Sequence, residues 1–529
     1  MEAAAARIAA AARLEPIVAA SIACVASAAV VAFAPPGGDS AAHLYRTELL
    51  RDGVALWDNL WFAGQYPLAS YSLLYYFGAA VVGNVPLVVA AAVASAWLFA
   101  SLATDVWGSA ARWPARVFGV LAAGPLFTGT YSYALGLAAV LAALRLLQLD
   151  RRKAAVGASA LALAFSPLAF AYLCLSLGAI VVGRRPARVG PTAAALATLG
   201  AAQVAVIVLF RTDGRYPFST LSLAAVVGVA SLGAALALRG DTSRVLAPFF
   251  ALWAGACLVA FVVPSPFGDN LARLRALVIP LVLLAAVLAR FRPWPLAYGA
   301  LAAALVFNLG PDISALPKRI DDRPTSTAAF WAPAVDFLRG TSADYRVEVV
   351  PTFGHWEAYF IPRAGLPLAR GWYRQIDLAE NPVLYEDPLT PTRYRAWLRK
   401  LGVRFVVLPH ARLGALGAER EGDLLRSGRA GLRLALRAPT LAIYELPGAT
   451  PILTGPGAAH IDRVDHELVA GRVGAPGAYL LRVRYTPHRS VRGPVCLSEA
   501  PGGMTRLVAH AAGAFSVEPA LRAPTARGC

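Results

Sequence analysis

The chain has 529 residues, of which 58% are hydrophobic and 15% are charged. An ordinary globular protein carries about 25% charged and about 45–50% apolar residues, so the composition excludes an ordinary soluble protein. The formal net charge of +18 would suit a nucleic-acid partner, but no block of Arg and Lys with interleaved aromatic residues is present. We therefore expect no nucleic-acid partner. The arginines are expected to face anionic membrane lipids or phosphate.

Apolar residues fill the chain from residue 17 to about residue 308, which predicts an α-helical polytopic membrane domain over 1–309. A membrane-spanning helix needs about 20 mainly apolar residues, and about eleven segments fit, with 68–83 as a twelfth candidate. The eleven predicted spans are 17–34, 85–103, 115–130, 132–148, 154–165, 167–182, 190–210, 221–238, 245–263, 274–290 and 294–308.

Short loops rich in Arg and Lys orient these spans, because such loops stay on the cytoplasmic side. All of them lie inside if 68–83 is an interfacial helix of the first external loop, 35–84. The same topology makes 154–182 a hairpin of two short helices, broken near Ser166-Pro167 because proline lacks a backbone donor. It predicts four outer-face pieces: 35–84, 129–133, 211–220 and 264–275.

The C-terminal region follows the last outward span, so the sequence predicts that it is external. Residues 310–326 have the composition of a linker, and Ser326 is expected to cap a helix that ends near Leu338. Helices alternating with strands predict an α/β domain over 310–450, with strands at 345–350, 404–409 and 441–447. Short alternating stretches between Gly/Pro turns predict a β-sandwich-like module over 451–529, including 479–485 and 495–498.

The five cysteines show no metal-binding spacing. Three of them lie in apolar runs, whereas Cys496 and Cys529 lie in the tail, where an external location would permit a disulfide. No Walker loop, dinucleotide glycine pattern, HExxH motif or nucleophile elbow is present, so chemistry on soluble nucleotides is not indicated.

Asp39 is the candidate catalytic residue. The turn Pro35-Pro36-Gly37-Gly38 before it fixes the carboxylate relative to the membrane surface, where it would act as a general base on an acceptor hydroxyl. The alternative is that Asp39 caps the helix 40–51, and one residue can do both. His43 follows one helical turn later and either assists Asp39 or is an interfacial histidine. Asp52 and Asp58 are expected to be solvated loop residues.

Arg273 and Arg275 are the candidates for holding a lipid-linked phosphate, because guanidinium groups form paired hydrogen bonds with phosphate oxygens. The alternative is that they lie at the membrane surface or pair with Asp269. The stretches 354–360 and 369–386 concentrate aromatic, basic and acidic residues outside predicted helices and strands, and are expected to cover the site. Further candidates for substrate binding are Arg211, Arg215, Trp57, Trp61, Tyr131, Tyr133, His355, Trp356, Trp372 and Arg374.

From Gly38-Asp39 through His43, and then over DGVALWDNLWFAGQYPLASYSLLYYFGA, the chain resembles the polytopic GT-C superfamily of glycosyltransferases. Residues 391–447 also resemble the external end of related bacterial multi-spanning proteins. The resemblance implies that the acid of the first external loop, Asp39 here, is the catalytic base and that the donor is a polyprenyl-phosphate sugar. The chain departs from the family pattern in the turn TGTYSY, which has no second acid, and in lacking a DxD metal pair.

The sequence therefore favours a membrane glycosyltransferase that transfers a hexosyl or pentosyl group on the outer face of the cytoplasmic membrane. The expected partners are a polyprenyl-phosphate-linked sugar, membrane lipids and an envelope glycan or protein acceptor; no cofactor is assigned, and a divalent metal ion is left open. One alternative is a lipid-linked sugar flippase or transporter, although such proteins show paired broken helices and only 154–182 is broken here. The other is a non-catalytic envelope-assembly or carbohydrate-binding protein.

Overall fold

A computed structural model describes residues 2–54, 56–64, 71–185, 190–210, 214–414, 417–520 and 529. The chain divides into two compact units. The first consists of Met1–Ser40 and Ser70–Pro317, and the second of Ala41–Ala69 and Lys318–Cys529. The first unit is helical, and the strands of the described residues lie in the second.

Each of the eleven predicted spans falls on a helix of the first unit, with 115–130 divided between two helices. Seven helical stretches among the described residues are long and apolar enough to cross a membrane, and two shorter apolar helices accompany them. The number of these eleven segments that cross the membrane remains a prediction. The helices are α1 Glu2–Phe33, α2 Ser40–Arg51, α3 Leu73–Val82, α4 Asn84–Trp107, α5 Arg112–Leu121, α6 Gly124–Thr128, α7 Tyr131–Gln148, α8 Arg152–Phe165, α9 Pro167–Arg184, α10 Gly190–Phe210, α11 Thr220–Gly240, α12 Leu246–Val262, α13 Arg275–Leu288 and α14 Trp294–Asp321.

The basic helix ends of the first unit are joined by side-chain contacts. Glu15, buried at the start of the apolar stretch Leu14–Phe33 of α1, forms ion pairs with Arg112 Nε at 2.9 Å and Arg116 Nη2 at 2.8 Å. At the end of α4, Trp107 Nε1 donates to Asp241 Oδ1 at 2.9 Å. From Glu15, α1 continues for about 27 Å before it ends at Phe33, since a helix rises about 1.5 Å per residue. The Glu15 cluster therefore lies at the start of the apolar stretch Leu14–Phe33 of α1, and the Asp39 turn follows the end of that stretch.

The predicted hairpin over 154–182 is confirmed, with its break at Ser166. This residue is extended, with φ −158° and ψ 109°, and its Oγ accepts a hydrogen bond from Ala169 N–H at 3.3 Å. Gly136 of α7 packs against the break, since a Cβ there would lie 2.7 Å from Ala169 Cβ and 2.8 Å from Ser166 Cβ. The break is thus enclosed by protein, as irregular backbone at membrane depth requires.

The prediction of a linker over 310–326 is wrong for most of that stretch, because α14 continues to Asp321. Its two internal prolines, Pro311 and Pro317, each remove one donor from the helical ladder, and the remaining bonds preserve the helix. The predicted cap at Ser326 is also wrong. The following helix begins at Ala328, and Ser326 Oγ donates instead to Arg323 O at 2.8 Å.

The N-terminal part of the second unit is an α/β fold around one four-stranded sheet with strand order β1-β2-β4-β3. β1 and β2 are parallel, and the other pairs are antiparallel. The three predicted strands are present, and β3 was missed. The strands are β1 Arg346–Val349, β2 Val403–Pro409, β3 Arg433–Arg437 and β4 Leu441–Glu445; the helices are α15 Ala328–Arg339, α16 Glu357–Arg363, α17 Arg374–Glu380, α18 Pro391–Leu401 and α19 Ala418–Arg426.

The C-terminal part consists, among the described residues, of two four-stranded sheets with strand orders β10-β11-β8-β5 and β6-β7-β12-β9. A Cys496–Cys529 disulfide joins β10 to the chain end. Together with the long apolar helices, these sheets confirm the predicted class, a polytopic membrane protein with a β-rich C-terminal region; the residue limits of the three predicted domains remain a prediction. The strands are β5 Leu453–Thr454, β6 Ala459–Val464, β7 Val469–Val473, β8 Gly477–Arg484, β9 Arg489–Arg492, β10 Val495–Glu499, β11 Met504–Ala509 and β12 Gly513–Pro519.

The segment 56–64 supplies hydrophobic residues to each core of the second unit. Trp61 and Phe62 pack with residues of β1, β2 and β4, and Ala63 packs in a second core with residues of α18. Leu60 packs between the strands of the C-terminal sheets. This short segment is therefore part of the core of the second unit rather than a surface loop.

The α/β fold encloses a charged cluster that the sequence did not suggest. Arg370 forms an ion pair with Asp377 at 2.6 Å, and its Nη1 lies 3.4 Å from Glu348 Oε1 and 3.3 Å from Glu421 Oε2. Burial raises the pKa of Glu348 well above its usual value, and the charge of Glu421 raises it further. The folded protein therefore holds a proton that the unfolded chain releases near the ordinary glutamate pKa.

Stability is expected to fall as the pH rises above the ordinary glutamate pKa, because the unfolded chain then binds fewer protons than the folded protein. Glu348 should contribute about 1.4 kcal/mol per pH unit to this slope until its folded-state pKa is reached. Glu348→Gln should lower this slope, as measured by thermal unfolding at pH 5 to 9, while the raised pKa values of the buried Glu421 and Asp322 preserve part of it. Glu499→Gln, at an exposed strand position, is the matched control and should keep it. An unchanged slope in Glu348→Gln would contradict the assignment.

Candidate active site

The turn before Asp39 packs its backbone directly against the turn between α6 and α7. A Cβ on Gly37 would lie 2.2 Å from Gly129 N, so only glycine allows this approach. Gly129 has φ +86°, and a Cβ there would lie 2.7 Å from Ser40 N. Two glycines thus fix the distance between the start of α2 and the start of α7.

Asp39 lies half-buried in this arrangement. Its backbone N–H donates to Thr128 O at 3.5 Å, and the next residue, Ser40, shares a buried hydrogen bond of 2.9 Å with the Tyr131 hydroxyl. The carboxylate of Asp39 also interacts electrostatically with Tyr131. The backbone that carries the carboxylate is therefore held on both sides, which limits where a general base at this position can lie.

Aromatic contacts connect the start of α7 with the segment that carries Arg273. The ring of Tyr133 lies edge-on to that of Tyr172, with centroids 6.1 Å apart. The Tyr172 hydroxyl donates to Leu271 O at 2.7 Å and accepts from Leu274 N–H at 3.0 Å. The starts of α7 and α9 and the 3-10 helix Gly268–Leu274 thus lie together in the first unit.

The four predicted arginines of the phosphate site have different outcomes. Arg273 lies on the 3-10 helix and Arg275 begins α13, but their side chains lie outside what the structure describes. Arg211 lies outside the described residues, and Arg215 is exposed. The segment of Arg215 contacts that of Arg273, because Tyr216 N–H donates to Ser265 O at 3.1 Å. The phosphate-binding role of these arginines remains a prediction.

Asp58 is buried, so the prediction of a solvated loop residue is wrong. Its carboxylate accepts hydrogen bonds from the Tyr45 hydroxyl at 2.9 Å and from Leu60 N–H at 3.0 Å, and lies 3.1 Å from His466 Nδ1. Burial alone would lower the pKa of His466, but the hydrogen bond and charge of Asp58 raise it above its ordinary value. Asp58 therefore anchors the first loop segment to the turn between β6 and β7.

The predicted tryptophans of the first loop have packing roles in the structure. Trp61 is fully buried and its Nε1 donates to Ala358 O at 3.0 Å; Trp57 is 6% exposed and its indole N–H donates to Gly64 O. Substrate binding by Trp57 or Trp61 remains a prediction. The burial of both side chains argues against it. His43 lies buried on α2, in the part of that helix that belongs to the second unit, and its assisting role also remains a prediction.

The stretches 354–360 and 369–386 are partly helical, contrary to expectation, because α16 and α17 lie within them. His355 stacks on Trp372 with ring centroids 3.5 Å apart, and its Nδ1 lies 3.3 Å from Glu357 Oε1. Trp356 is buried, and Arg374 is half-buried at the start of α17. The structure thus brings His355 and Trp372 together as a half-buried aromatic pair, and their role in binding remains a prediction.

No group of three or more His, Cys, Asp or Glu side chains with metal-binding geometry occurs in the part of the chain that the structure describes. The sequence had not singled out Ser40 or Tyr172, which connect the pieces of the candidate site. Neither has a local signal, because each is identified only by its partner, 91 and 99 residues away respectively.

No family model and no curated protein matches the chain. Among solved structures, the arabinofuranosyltransferase AftD from Mycobacteria is similar, with 16% identity and a TM-score of 0.46, covering 88% of this chain and 41% of that chain. ArnT from Cupriavidus metallidurans is similar in its apo state, with 12% identity, a TM-score of 0.40, and 83% and 98% of the two chains covered. The structure of ArnT bound to undecaprenyl phosphate is similar with 13% identity and a TM-score of 0.38, covering 85% of this chain and 99% of that chain.

This chain thus spans less than half the length of the matched AftD chain.

Proposed function

We propose that this protein is a membrane glycosyltransferase that moves a sugar from a polyprenyl-phosphate donor to an acceptor hydroxyl, with Asp39 as the general base. The supporting observation is the packing of the Gly37 turn on Gly129, which holds Asp39 beside Ser40 and Tyr131. An aspartate whose backbone is packed on both sides is suited to proton transfer, because the position of its Cα does not depend on a flexible loop.

In this reaction Asp39 accepts the proton of the acceptor hydroxyl while the acceptor oxygen forms a bond to the anomeric carbon of the sugar. The bond between that carbon and the phosphate oxygen breaks, and polyprenyl phosphate leaves with the electron pair. The departing phosphate requires positive charge nearby. Arg273 and Arg275 are the candidates, because their segment meets Tyr172, which contacts the start of α7 through Tyr133.

The site is proposed to face the outside of the cytoplasmic membrane. The Glu15 pairs with Arg112 and Arg116 lie at the start of the apolar stretch Leu14–Phe33, and the Asp39 turn follows its end. Positively charged loops stay on the cytoplasmic side. The Cys496–Cys529 disulfide is consistent with an external C-terminal region, since disulfides persist in oxidising compartments. The acceptor is then a glycan or glycoconjugate of the cell envelope.

The proposal is tested with the full chain reconstituted in lipid nanodiscs and supplied with polyprenyl-phosphate hexoses and pentoses and a panel of envelope glycans. Release of polyprenyl phosphate coupled to growth of the acceptor is the expected result. Saturable glycan binding without release from any donor would instead support the carbohydrate-binding alternative. Movement of the intact donor across the bilayer of proteoliposomes, without transfer, would support the flippase alternative.

A further inference from the structure

Four arginines are buried in the second unit: Arg346 on β1, Arg482 and Arg484 on β8, and Arg489 at the start of β9. Arg346 lies close enough to interact electrostatically with each of the other three. Arg346 is fully buried, and each of the others is at most 8% exposed. Burial lowers the pKa of Arg346 to about 9, and the positive charges of the other three contribute to this shift. Such a group of like charges is costly in a protein interior unless negative charge compensates it.

The partners of these arginines supply little negative charge. Within the described residues, Glu380 is the one carboxylate that forms an ion pair with the cluster, through Arg484. The remaining partners are neutral oxygens. Arg346 Nη1 donates to Leu401 O at 2.9 Å, and Arg484 Nη1 donates to Gly502 O at 3.0 Å. Arg482 Nη1 donates to Pro451 O at 2.8 Å and to Thr454 Oγ1 at 3.0 Å. Arg489 Nη2 donates to Asn59 Oδ1 at 2.9 Å and to Gly64 O at 3.0 Å.

Several guanidinium donors of the cluster are buried without a hydrogen-bond partner among the described residues. They are Nε and Nη2 of Arg346 and the Nε atoms of Arg482, Arg484 and Arg489. A buried donor left unpaired is destabilising, and more so when it is charged. Unpaired donors on each of four neighbouring arginines indicate that a ligand with several acceptor oxygens compensates them.

We propose that this arginine cluster binds a phosphate group. A phosphate carries up to two negative charges near neutral pH and several acceptor oxygens, and guanidinium forks match its oxygens in paired hydrogen bonds. A dianion also offsets most of the charge that Glu380 leaves uncompensated. The cluster consists of residues of the second unit, whereas Arg273 and Arg275, proposed for the transfer reaction, belong to the first. The ligand is either free phosphate or a phosphate carried on a glycan or lipid.

The test is equilibrium binding of radiolabelled inorganic phosphate to the full chain in detergent micelles, at constant ionic strength. One saturable site per chain is expected. Arg346→Met should weaken binding at least about tenfold, the loss expected for one good charge-assisted contact. Arg506→Met, an exposed arginine on β11, is the matched control and should bind as the parent does. Absence of saturable binding, or equal binding by Arg346→Met and Arg506→Met, would overturn the proposal.

A stability measurement separates loss of the site from loss of the fold. Phosphate should raise the Tm of the parent protein, because a ligand that binds only the folded state stabilises it, and should leave the Tm of Arg346→Met unchanged. Arg482→Gln provides a second variant if Arg346→Met does not fold, and the same loss is expected. Competition by a sugar phosphate and by a short-chain polyprenyl phosphate identifies the source of the phosphate group. If one of them displaces labelled phosphate at lower concentration than inorganic phosphate does, the ligand belongs to that class. If both displace it only at higher concentration, the ligand is free phosphate.

Discussion

Replacing Asp39 by asparagine is expected to lower the rate of sugar transfer by about 10²–10⁴-fold, the usual contribution of a positioned general base. Asparagine has nearly the same shape as aspartate but cannot accept the proton of the acceptor hydroxyl. The Gly37–Gly129 contact and the Ser40–Tyr131 hydrogen bond involve other atoms, so the variant should fold and insert as the parent does. Initial rates of polyprenyl phosphate release, at saturating donor and acceptor, measure the effect on the chemical step.

The matched control is Asp52→Asn, an exposed acid of the same first loop, which should transfer at the parent rate. Asp39→Glu tests position, because the added methylene displaces the carboxylate from its fixed backbone and should restore only part of the activity. A fully active Asp39→Asn variant would remove Asp39 from the mechanism while leaving the transferase activity intact. Failure of the parent protein itself to transfer sugar would instead refute the proposed function.

Trp61→Ala is expected to lower the free energy of unfolding of the second unit by about 3–5 kcal/mol, the range found for truncation of large aromatic core residues. The indole is fully buried, stacks on Tyr45 with centroids 4.7 Å apart, and donates to Ala358 O. A Cβ on Gly371 would lie 2.6 Å from the indole, so the surrounding chain is closely packed. Denaturant unfolding of the full chain, followed by protease sensitivity of residues 318–529, measures the loss.

Leu434→Ala, at an exposed position of β3, is the control and should change stability by no more than about 0.5 kcal/mol. If the protease resistance of Trp61→Ala and Leu434→Ala were equal, the segment 56–64 would not be part of the core. A transfer assay on Trp61→Ala under stabilising conditions also tests the prediction that Trp61 binds substrate.

Features of the first unit were predictable because their signals are local. Long apolar stretches form helices whatever their neighbours, and Pro167 breaks the hairpin through its own missing donor. The Pro-Gly turn before Asp39 was also recognisable, and the glycine contacts explain its composition. The end of α14 was not predictable, since proline lowers helix propensity but does not determine where a long helix ends.

Features of the second unit were less predictable because they depend on partners that are distant in sequence. Asp58 has the local character of a solvated acid, and its burial follows from His466, 408 residues further along the chain. Arg346 lies in a short strand-like stretch, and only folding brings it beside Arg482 and Arg484. A single sequence gives no signal for such pairs, so neither the charged cores nor the burial of Trp61 was expected.

The placement of residues 56–64 within the second unit has a consequence for synthesis of the protein. Trp61 forms its hydrogen bond with Ala358, which emerges from the ribosome 297 residues later. At about 5–20 residues per second, the tryptophan is translated roughly 15–60 s before its acceptor. A nascent chain that stops after the last apolar helix is therefore not a free-standing product, because it leaves this aromatic segment uncovered and open to aggregation and quality control.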